Sequence, residues 1–233
     1  MSTVSHAQSA AIPHWLRHGA WFAVVAGVAF LVPHLGVSVL GLQHDRYYLV
    51  YFAVSMALLV AYVRVEHVNV RRIFARSWPW SVGLGVVTGA AVAFNVLGEK
   101  ATDRPGGAYF LFELLWRGVT YGAVDALLLS AFPGFVAYSV LRGRVDGFVG
   151  KARFTALALP LMLAITATYH LGYPQYRQDG VGKPEIGNTI ISVPMFATAN
   201  PVGAVIAHVT MHTTAVAHAY ETDVFLPPET KAK

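Results

Sequence analysis

The sequence predicts an all-α polytopic membrane protein, a bundle of six to eight transmembrane helices. The chain is 55% hydrophobic and only 12% charged, whereas soluble domains carry roughly 25% charged residues. Several apolar runs are long enough to cross a bilayer as helices. The basic residues stand in short clusters between these runs, which is the charge pattern that sets membrane topology.

The N-terminal half contains three predicted spans. Residues 1–18 are small and polar, and we expect them to form a cytoplasmic segment. The next run, 19–42, is too long for the apolar part of a cleaved signal peptide, so it is predicted to stay as the first transmembrane helix. The second and third spans are predicted at 47–63 and 81–98.

The C-terminal half contains longer apolar stretches with internal breakers. Residues 108–141 are too many for one straight crossing and include Pro133, so a kinked or broken helix is expected there. A further span is predicted at 154–172. The stretch 188–220 is divided near Pro201, a residue suited to the first turn of a new helix.

The charge pattern also predicts the topology. The arginine-rich loops at 64–76 and 142–153 are expected on the cytoplasmic side. This alternation gives six net crossings, one or two half-helices and two cytoplasmic termini, in an inner (plasma) membrane. Residues 19–220 then form a single transmembrane domain, and 221–233 a charged, disordered tail.

Composition excludes some functions. The chain contains no cysteine, so disulfides, thiolate ligands and a cysteine nucleophile are excluded. A net charge of +5 comes without a separate basic domain, which argues against nucleic acid as a partner. The expected partners are membrane lipid and a membrane protein or peptide.

The segment FELLWRG, residues 112–118, places an ionisable pair inside an apolar run. Glu113 and Arg117 are four residues apart and share one helix face. Ionisable groups at membrane depth are expensive and usually face a bundle interior or a wet cavity. The sequence therefore predicts a functional or structural ion pair between Glu113 and Arg117.

Three histidines are predicted to lie at a similar depth to Glu113. His170 ends one span, and His208 and His212 share a face of the helix that follows Pro201. We expect these four side chains to meet in one polar cavity. A carboxylate and imidazoles could activate water as general bases, or Glu113 and the three histidines could bind a divalent metal ion. The third interpretation is purely structural: an ion pair and interhelical hydrogen bonds.

Other polar residues fit the predicted cavity less well. Asp125 is rotated about 120° from Glu113 on an ideal helix, so it is expected to point elsewhere. His218 lies off the face of His208 and is not expected to be a ligand.

The three segments that hold these residues resemble the CPBP family of intramembrane proteins, also called Abi, which includes the CAAX prenyl endopeptidases. That family carries three motifs in order: EExxxR, usually followed by Gly; FxxxH; and HxxxN or a variant. Here FELLWRG, TATYHL and IAHVTMH stand in the same order on hydrophobic segments, and the resemblance covers 108–218.

The resemblance assigns roles position by position. Glu113 and Arg117 match the second Glu and the Arg of the first motif, His170 and His208 match the motif histidines, and His212 stands where Asn is usual. Two positions depart from the motifs: Phe112 replaces the first Glu, the family's water-activating base, and Thr166 replaces the Phe of the second.

The resemblance implies an intramembrane peptidase-like hydrolase with Glu113, His170, His208 and His212 as catalytic residues. Two alternatives stay open: a non-catalytic membrane interaction or assembly protein of the same fold, and a metal-dependent membrane enzyme that uses the same four residues as ligands.

Overall fold

The computed structural model describes residues 12–222 and 225–227, and these form nine helices without a strand. The helices are α1 His14–Val39, α2 His44–Val65, α3 Val70–Ala75, α4 Trp78–Leu97, α5 Gly107–Val140, α6 Gly147–Leu171, α7 Pro174–Asp179, α8 Gly182–Thr198 and α9 Val202–His218. Residues 1–11 of the predicted N-terminal segment 1–18 lie outside the described residues. The last five residues of that segment belong to α1, which begins at His14 instead of residue 19.

Five of these helices, α1, α2, α4, α5 and α6, are long and apolar enough to cross a membrane. The prediction of an all-helical membrane protein is confirmed at this level. Helices α8 and α9 have 17 residues each, or roughly 25 Å of α-helix, slightly less than a bilayer's hydrocarbon core.

Helix α5 is the central element of the bundle. In its most apolar window 78% of the residues are buried, against 22–28% for the other four spans. The expected break near Pro133 is not present, because the helix continues to Val140. Two π-helical segments, Leu114–Thr120 and Leu127–Ala131, interrupt the α-helical pattern instead. The second one ends just before Phe132 and Pro133, where the wide turn accommodates the missing N–H of proline.

Contacts between loops define two ends of the bundle. At one end, Arg17 pairs with Glu66 at 2.7 Å, Arg76 pairs with Asp146 at 2.5 Å, and the amide of Asn200 donates to the Phe74 carbonyl at 2.9 Å. We call this the basic end, formed by 12–18, 64–78, 138–153 and 198–202. The predicted cytoplasmic loops therefore lie together.

The opposite end collects the remaining loops. Arg177, in α7, hydrogen-bonds to His34 Nδ1 at 2.8 Å, and His218 Nε2 donates to the Glu99 carbonyl at 2.9 Å. Helix α9 therefore finishes at the end opposite to the start of α1. This arrangement differs from the expected topology with six net crossings and both termini on one side.

The difference arises from the stretch around Pro201. Helix α8 begins at Gly182, earlier than the expected 188, and runs the full way to the basic end. Ala199, with φ of 52°, and Pro201 then reverse the chain into α9. The predicted break at Pro201 is thus present, and it separates two antiparallel helices of 17 residues each.

The C-terminal residues also differ from expectation. The predicted disordered tail begins at Glu221, yet Leu226 is buried and packs with Val96, Ala215 and Val216. Leu226 therefore covers the C-terminal ends of α4 and α9. Residues 223–224 and 228–233 lie outside the described part of the chain.

Candidate functional site

Asp125 lies near the middle of α5 and is 5% exposed. Its Oδ1 accepts a hydrogen bond from the Tyr51 hydroxyl of α2 at 3.0 Å. Its Oδ2 faces two imidazoles of α9: His212 Nε2 at 3.6 Å and His208 Nε2 at 3.7 Å. We call Asp125, His208 and His212 the Asp–His cluster.

A close approach of two helices builds this cluster. Helix α9 runs antiparallel to α5, and a Cβ added at Gly122 would lie 3.0 Å from Val209 Cα and 3.2 Å from His212 Cδ2. A larger residue at position 122 would hold the helices apart. The four-residue spacing of the histidines places both imidazoles beside Asp125, one turn beyond Gly122.

Hydrogen bonds within the cluster indicate how it handles a proton. His208 Nδ1 donates to the Ala204 carbonyl at 3.2 Å, so in a neutral His208 the Nε2 lone pair faces the carboxylate. His212 has no hydrogen-bond partner for either ring nitrogen within the described residues. Two acceptors that face each other favour a proton or a donor group between them. The cluster can therefore bind and move one proton.

A group of buried tyrosines adjoins the cluster. The Tyr121 ring meets the His212 ring edge-on, with centroids 4.9 Å apart. Its hydroxyl hydrogen-bonds to that of Tyr169 at 2.8 Å, and Tyr169 in turn bonds to Tyr173 at 2.7 Å. The Tyr121 ring contacts the cluster directly, and its hydroxyl connects the cluster to the tyrosines of α6.

His170 lies at the margin of this tyrosine group. Its Nδ1 donates to the Thr166 carbonyl at 2.8 Å, and its ring contacts those of Tyr169 and Tyr176. Within the described residues it has no direct hydrogen bond to Asp125 or His212, and the contacts of Tyr169 and Tyr121 connect it to His212. The structure thus brings the three predicted histidines into one region, with His170 in the outer position.

Glu113 is not part of the Asp–His cluster. Its Oε2 lies 3.5 Å from Arg117 Nη1 and accepts from the Tyr220 hydroxyl at 3.1 Å. Twelve residues separate it from Asp125, roughly 18 Å along α5. In the described part of the chain, no hydrogen bond or ion pair joins Glu113 to His170, His208 or His212. The expected meeting of Glu113 with the histidines is replaced by their meeting with Asp125.

The ion pair itself is present as the sequence predicts. Glu113 and Arg117 are both buried, and the Arg117 guanidinium lies 4.4 Å from the centre of the Tyr220 ring. A buried pair with this aromatic cover is typical of structural support.

The two motif departures lie in different surroundings. Phe112 is 45% exposed, and its ring stacks on Tyr109 and Trp116 along the outer face of α5. Thr166 is fully buried, and its Oγ1 accepts from Asn188 Nδ2 at 2.7 Å. Neither residue contacts the Asp–His cluster.

The hypothesis of a metal site receives no support from this geometry. Among the described residues, no group of three or more His, Asp or Glu side chains is arranged to hold a metal ion. The four proposed ligands do not lie together. The histidines lie near Asp125, whereas Glu113 is roughly 18 Å from Asp125 along α5.

Asp125, the carboxylate that the histidines face, is not among the residues predicted for the cavity. An ionisable side chain inside a span is a functional candidate by itself, and this signal could have identified Asp125. Its rotation relative to Glu113 is not informative, because the histidines meet α5 roughly 18 Å from Glu113.

Comparison of the chain with protein-family models, with curated proteins and with solved structures gives no match. The resemblance to the CPBP family therefore stays a prediction that rests on the three motifs.

Proposed function

We propose that this chain is an intramembrane hydrolase of the CPBP type, in which the Asp–His cluster replaces the motif glutamate as the water-activating group. The observation that carries the proposal is the buried Asp125 carboxylate flanked by His208 and His212 at 3.7 and 3.6 Å. A buried carboxylate and imidazoles that share a proton are the groups needed for general acid–base catalysis.

The roles follow from the hydrogen bonds. His212, with both ring nitrogens unpartnered, accepts a proton from water, and the resulting hydroxide attacks a carbonyl carbon of the substrate. Asp125 stabilises the imidazolium that forms, as the carboxylate does in a catalytic triad. The imidazolium then gives its proton to the leaving amine. Tyr51 holds Asp125 through Oδ1 and leaves Oδ2 facing the imidazoles.

The substrate class follows from the position of the cluster. It lies near mid-bundle on the central helix, so the scissile bond has to pass between the helices to reach it. A transmembrane or membrane-bound peptide satisfies this condition, in accord with the expected membrane-peptide partner.

The experiment is cleavage of membrane peptides by purified protein in liposomes. Proteoliposomes with the wild-type chain are incubated with a solubilised membrane-protein fraction, and new N-termini are labelled and identified by mass spectrometry. Asp125→Asn should reduce their yield by roughly 10² or more. His218→Asn, a histidine outside the cluster, should leave it unchanged. Equal yields from wild type and Asp125→Asn would contradict the proposal.

A second candidate function is a non-catalytic assembly role of the same fold. One observation favours it: Asp125, His208 and His212 are 5%, 2% and 4% exposed, so a substrate reaches them only if the helices move. Two cavities beside α5, between α1 and α2, are lined mostly by apolar side chains such as Val25 and Leu128. Absence of any new N-terminus with wild-type protein would support this role.

A further inference from the structure

Charge is distributed very unevenly between the two ends of the bundle. The basic end carries nine Lys and Arg residues against two acids, Glu66 and Asp146, in the described residues. The opposite end, formed by 40–46, 97–107, 172–187 and 219–222, carries five bases against six acids. The positive charge of the described chain is therefore concentrated on one face.

Most bases of the basic end have no acidic partner. Both acids there are already paired, Glu66 with Arg17 and Asp146 with Arg76. The remaining bases of this end form no ion pair with the described residues. Six of them have exposed side chains: Arg64, Arg71, Arg72, Arg142, Arg144 and Arg153.

These exposed bases stand on a fixed framework. Arg76 donates to the Val145 carbonyl and pairs with Asp146, which joins the α2–α4 connection to the α5–α6 loop. Asn200 Nδ2 donates to the carbonyls of Phe74 and Arg76 and so fixes the end of α3. The helix α3 buries Ile73 and presents Arg71 and Arg72 outward, so it lies along the bundle end as a small amphipathic helix.

Large apolar side chains surround the bases. Trp78 and Trp80, at the start of α4, are 55% and 75% exposed, and Phe148, at the start of α6, is 89% exposed. Exposed tryptophans at the ends of spanning helices mark the level of lipid headgroups. The arginines share this end of the bundle with these aromatic side chains, so we expect them at the level of the phosphate groups.

We propose that the basic end is a binding surface for anionic phospholipid headgroups, with Arg71 and Arg72 of α3 and Arg142 and Arg144 of the α5–α6 loop as its main contacts. Clusters of four to eight bases next to spanning helices attract anionic lipids, and each base strengthens binding by roughly fivefold. The guanidinium fork can also hold a phosphate through two hydrogen bonds.

The test compares two sets of four substitutions that remove the same charge. One variant is Arg71→Gln, Arg72→Gln, Arg142→Gln and Arg144→Gln at the basic end. The control is Arg46→Gln, Lys100→Gln, Arg104→Gln and Lys183→Gln at the opposite end. Melting temperature in detergent is measured with added dioleoyl phosphatidylglycerol or dioleoyl phosphatidylcholine, and retained lipid is counted by native mass spectrometry.

The proposal predicts that phosphatidylglycerol raises the melting temperature of the wild type and of the control, and that phosphatidylcholine does not. The basic-end variant should lose at least half of the temperature shift and retain at least tenfold less anionic lipid, and 0.5 M salt should weaken the wild-type response. An equal response to both lipids, or an equal loss in the control, would overturn it. If the quadruple variant does not fold, the pairs Arg71→Gln/Arg72→Gln and Arg142→Gln/Arg144→Gln are measured separately against the same criteria.

Discussion

Asp125 and Glu113 are two buried carboxylates on one helix with different surroundings. Glu113 has a permanent cation, Arg117, at 3.5 Å. Among the described residues, Asp125 faces two imidazoles and accepts a hydrogen bond from the Tyr51 hydroxyl. An arginine stays charged and fixes the charge of its partner, whereas an imidazole can be charged or neutral. This residue-scale difference is why we propose a structural role for Glu113 and a reactive role for Asp125.

Glu113→Gln should destabilise the protein strongly. The substitution leaves the Arg117 guanidinium buried without its counter-charge, and loss of one member of a buried pair costs about 3–5 kcal/mol. Adding Arg117→Met should restore much of the lost melting temperature. A single variant that melts like the wild type would contradict the structural role of the pair.

Tyr51→Phe should lower the free energy of unfolding by about 1–3 kcal/mol, because the buried Oδ1 of Asp125 loses its donor. Tyr138→Phe is the matched control, since the Tyr138 hydroxyl has no hydrogen bond within the described chain. Chemical denaturation of both variants checks the difference. Equal stability of the two variants would show that the hydrogen bond from Tyr51 to Asp125 does not stabilise the protein.

At the scale of the helices, α4 and α9 pack with their backbones in close contact. A Cβ on Gly203 would lie 2.3 Å from the Ser81 carbonyl oxygen, a backbone atom that cannot rotate away. Gly203→Ala should therefore push α9 from α4 and cost roughly 1–3 kcal/mol. Gly83→Ala, where no atom lies within 4 Å, should be neutral or slightly stabilising. Melting temperatures of the two variants in detergent decide this, and a Gly203→Ala variant as stable as Gly83→Ala would contradict the packing.

The helices also show how far the sequence could predict the structure. Apolar length located the spans at α1, α2, α4, α5 and α6, because membrane helices are specified by composition along the chain. The antiparallel pair α8 and α9 was predicted poorly, since Lys183 and Glu185 lie inside the first turns of α8 and resemble loop residues. A hydropathy pattern marks where a chain is apolar, so it does not show that a helix begins earlier, among charged residues.

The candidate site was predicted in part. The histidines could be found from their spacing, because His208 and His212 must share a face of any α-helix. Their carboxylate partner could not be derived in the same way. The antiparallel contact of α9 with Gly118 and Gly122 places the imidazoles beside Asp125, roughly 18 Å along α5 from Glu113. This contact depends on tertiary packing.

At the scale of the whole molecule, the charge asymmetry and the helix directions make a prediction about topology. The start of α1 and the end of α9 lie at opposite ends of the bundle. Position 142 belongs to the basic end, where α1 starts, and position 221 to the opposite end, where α9 finishes. A cysteine at position 221 should therefore be on the other side of the membrane from one at position 142. The chain has no native cysteine, which makes each introduced one unique.

Arg142→Cys and Glu221→Cys are labelled in intact cells with a membrane-impermeant maleimide. Glu221→Cys should react, and Arg142→Cys should react only after lysis, because basic loops stay cytoplasmic. The opposite labelling pattern would invert the orientation. Protection of both positions, or reaction of both, would contradict the antiparallel pair of α8 and α9.

In the proposed mechanism Asp125, and not Glu113, is the carboxylate that supports hydrolysis. The two carboxylates are distinguished by the rate at which new N-termini form from membrane peptides, normalised to folded protein, in Asp125→Asn and in Glu113→Gln/Arg117→Met. Asp125→Asn should fold and its rate should fall by roughly 10² or more, whereas the double variant should retain most of the wild-type rate. A double variant that is folded but inactive, beside an active Asp125→Asn protein, would assign the catalytic role to Glu113.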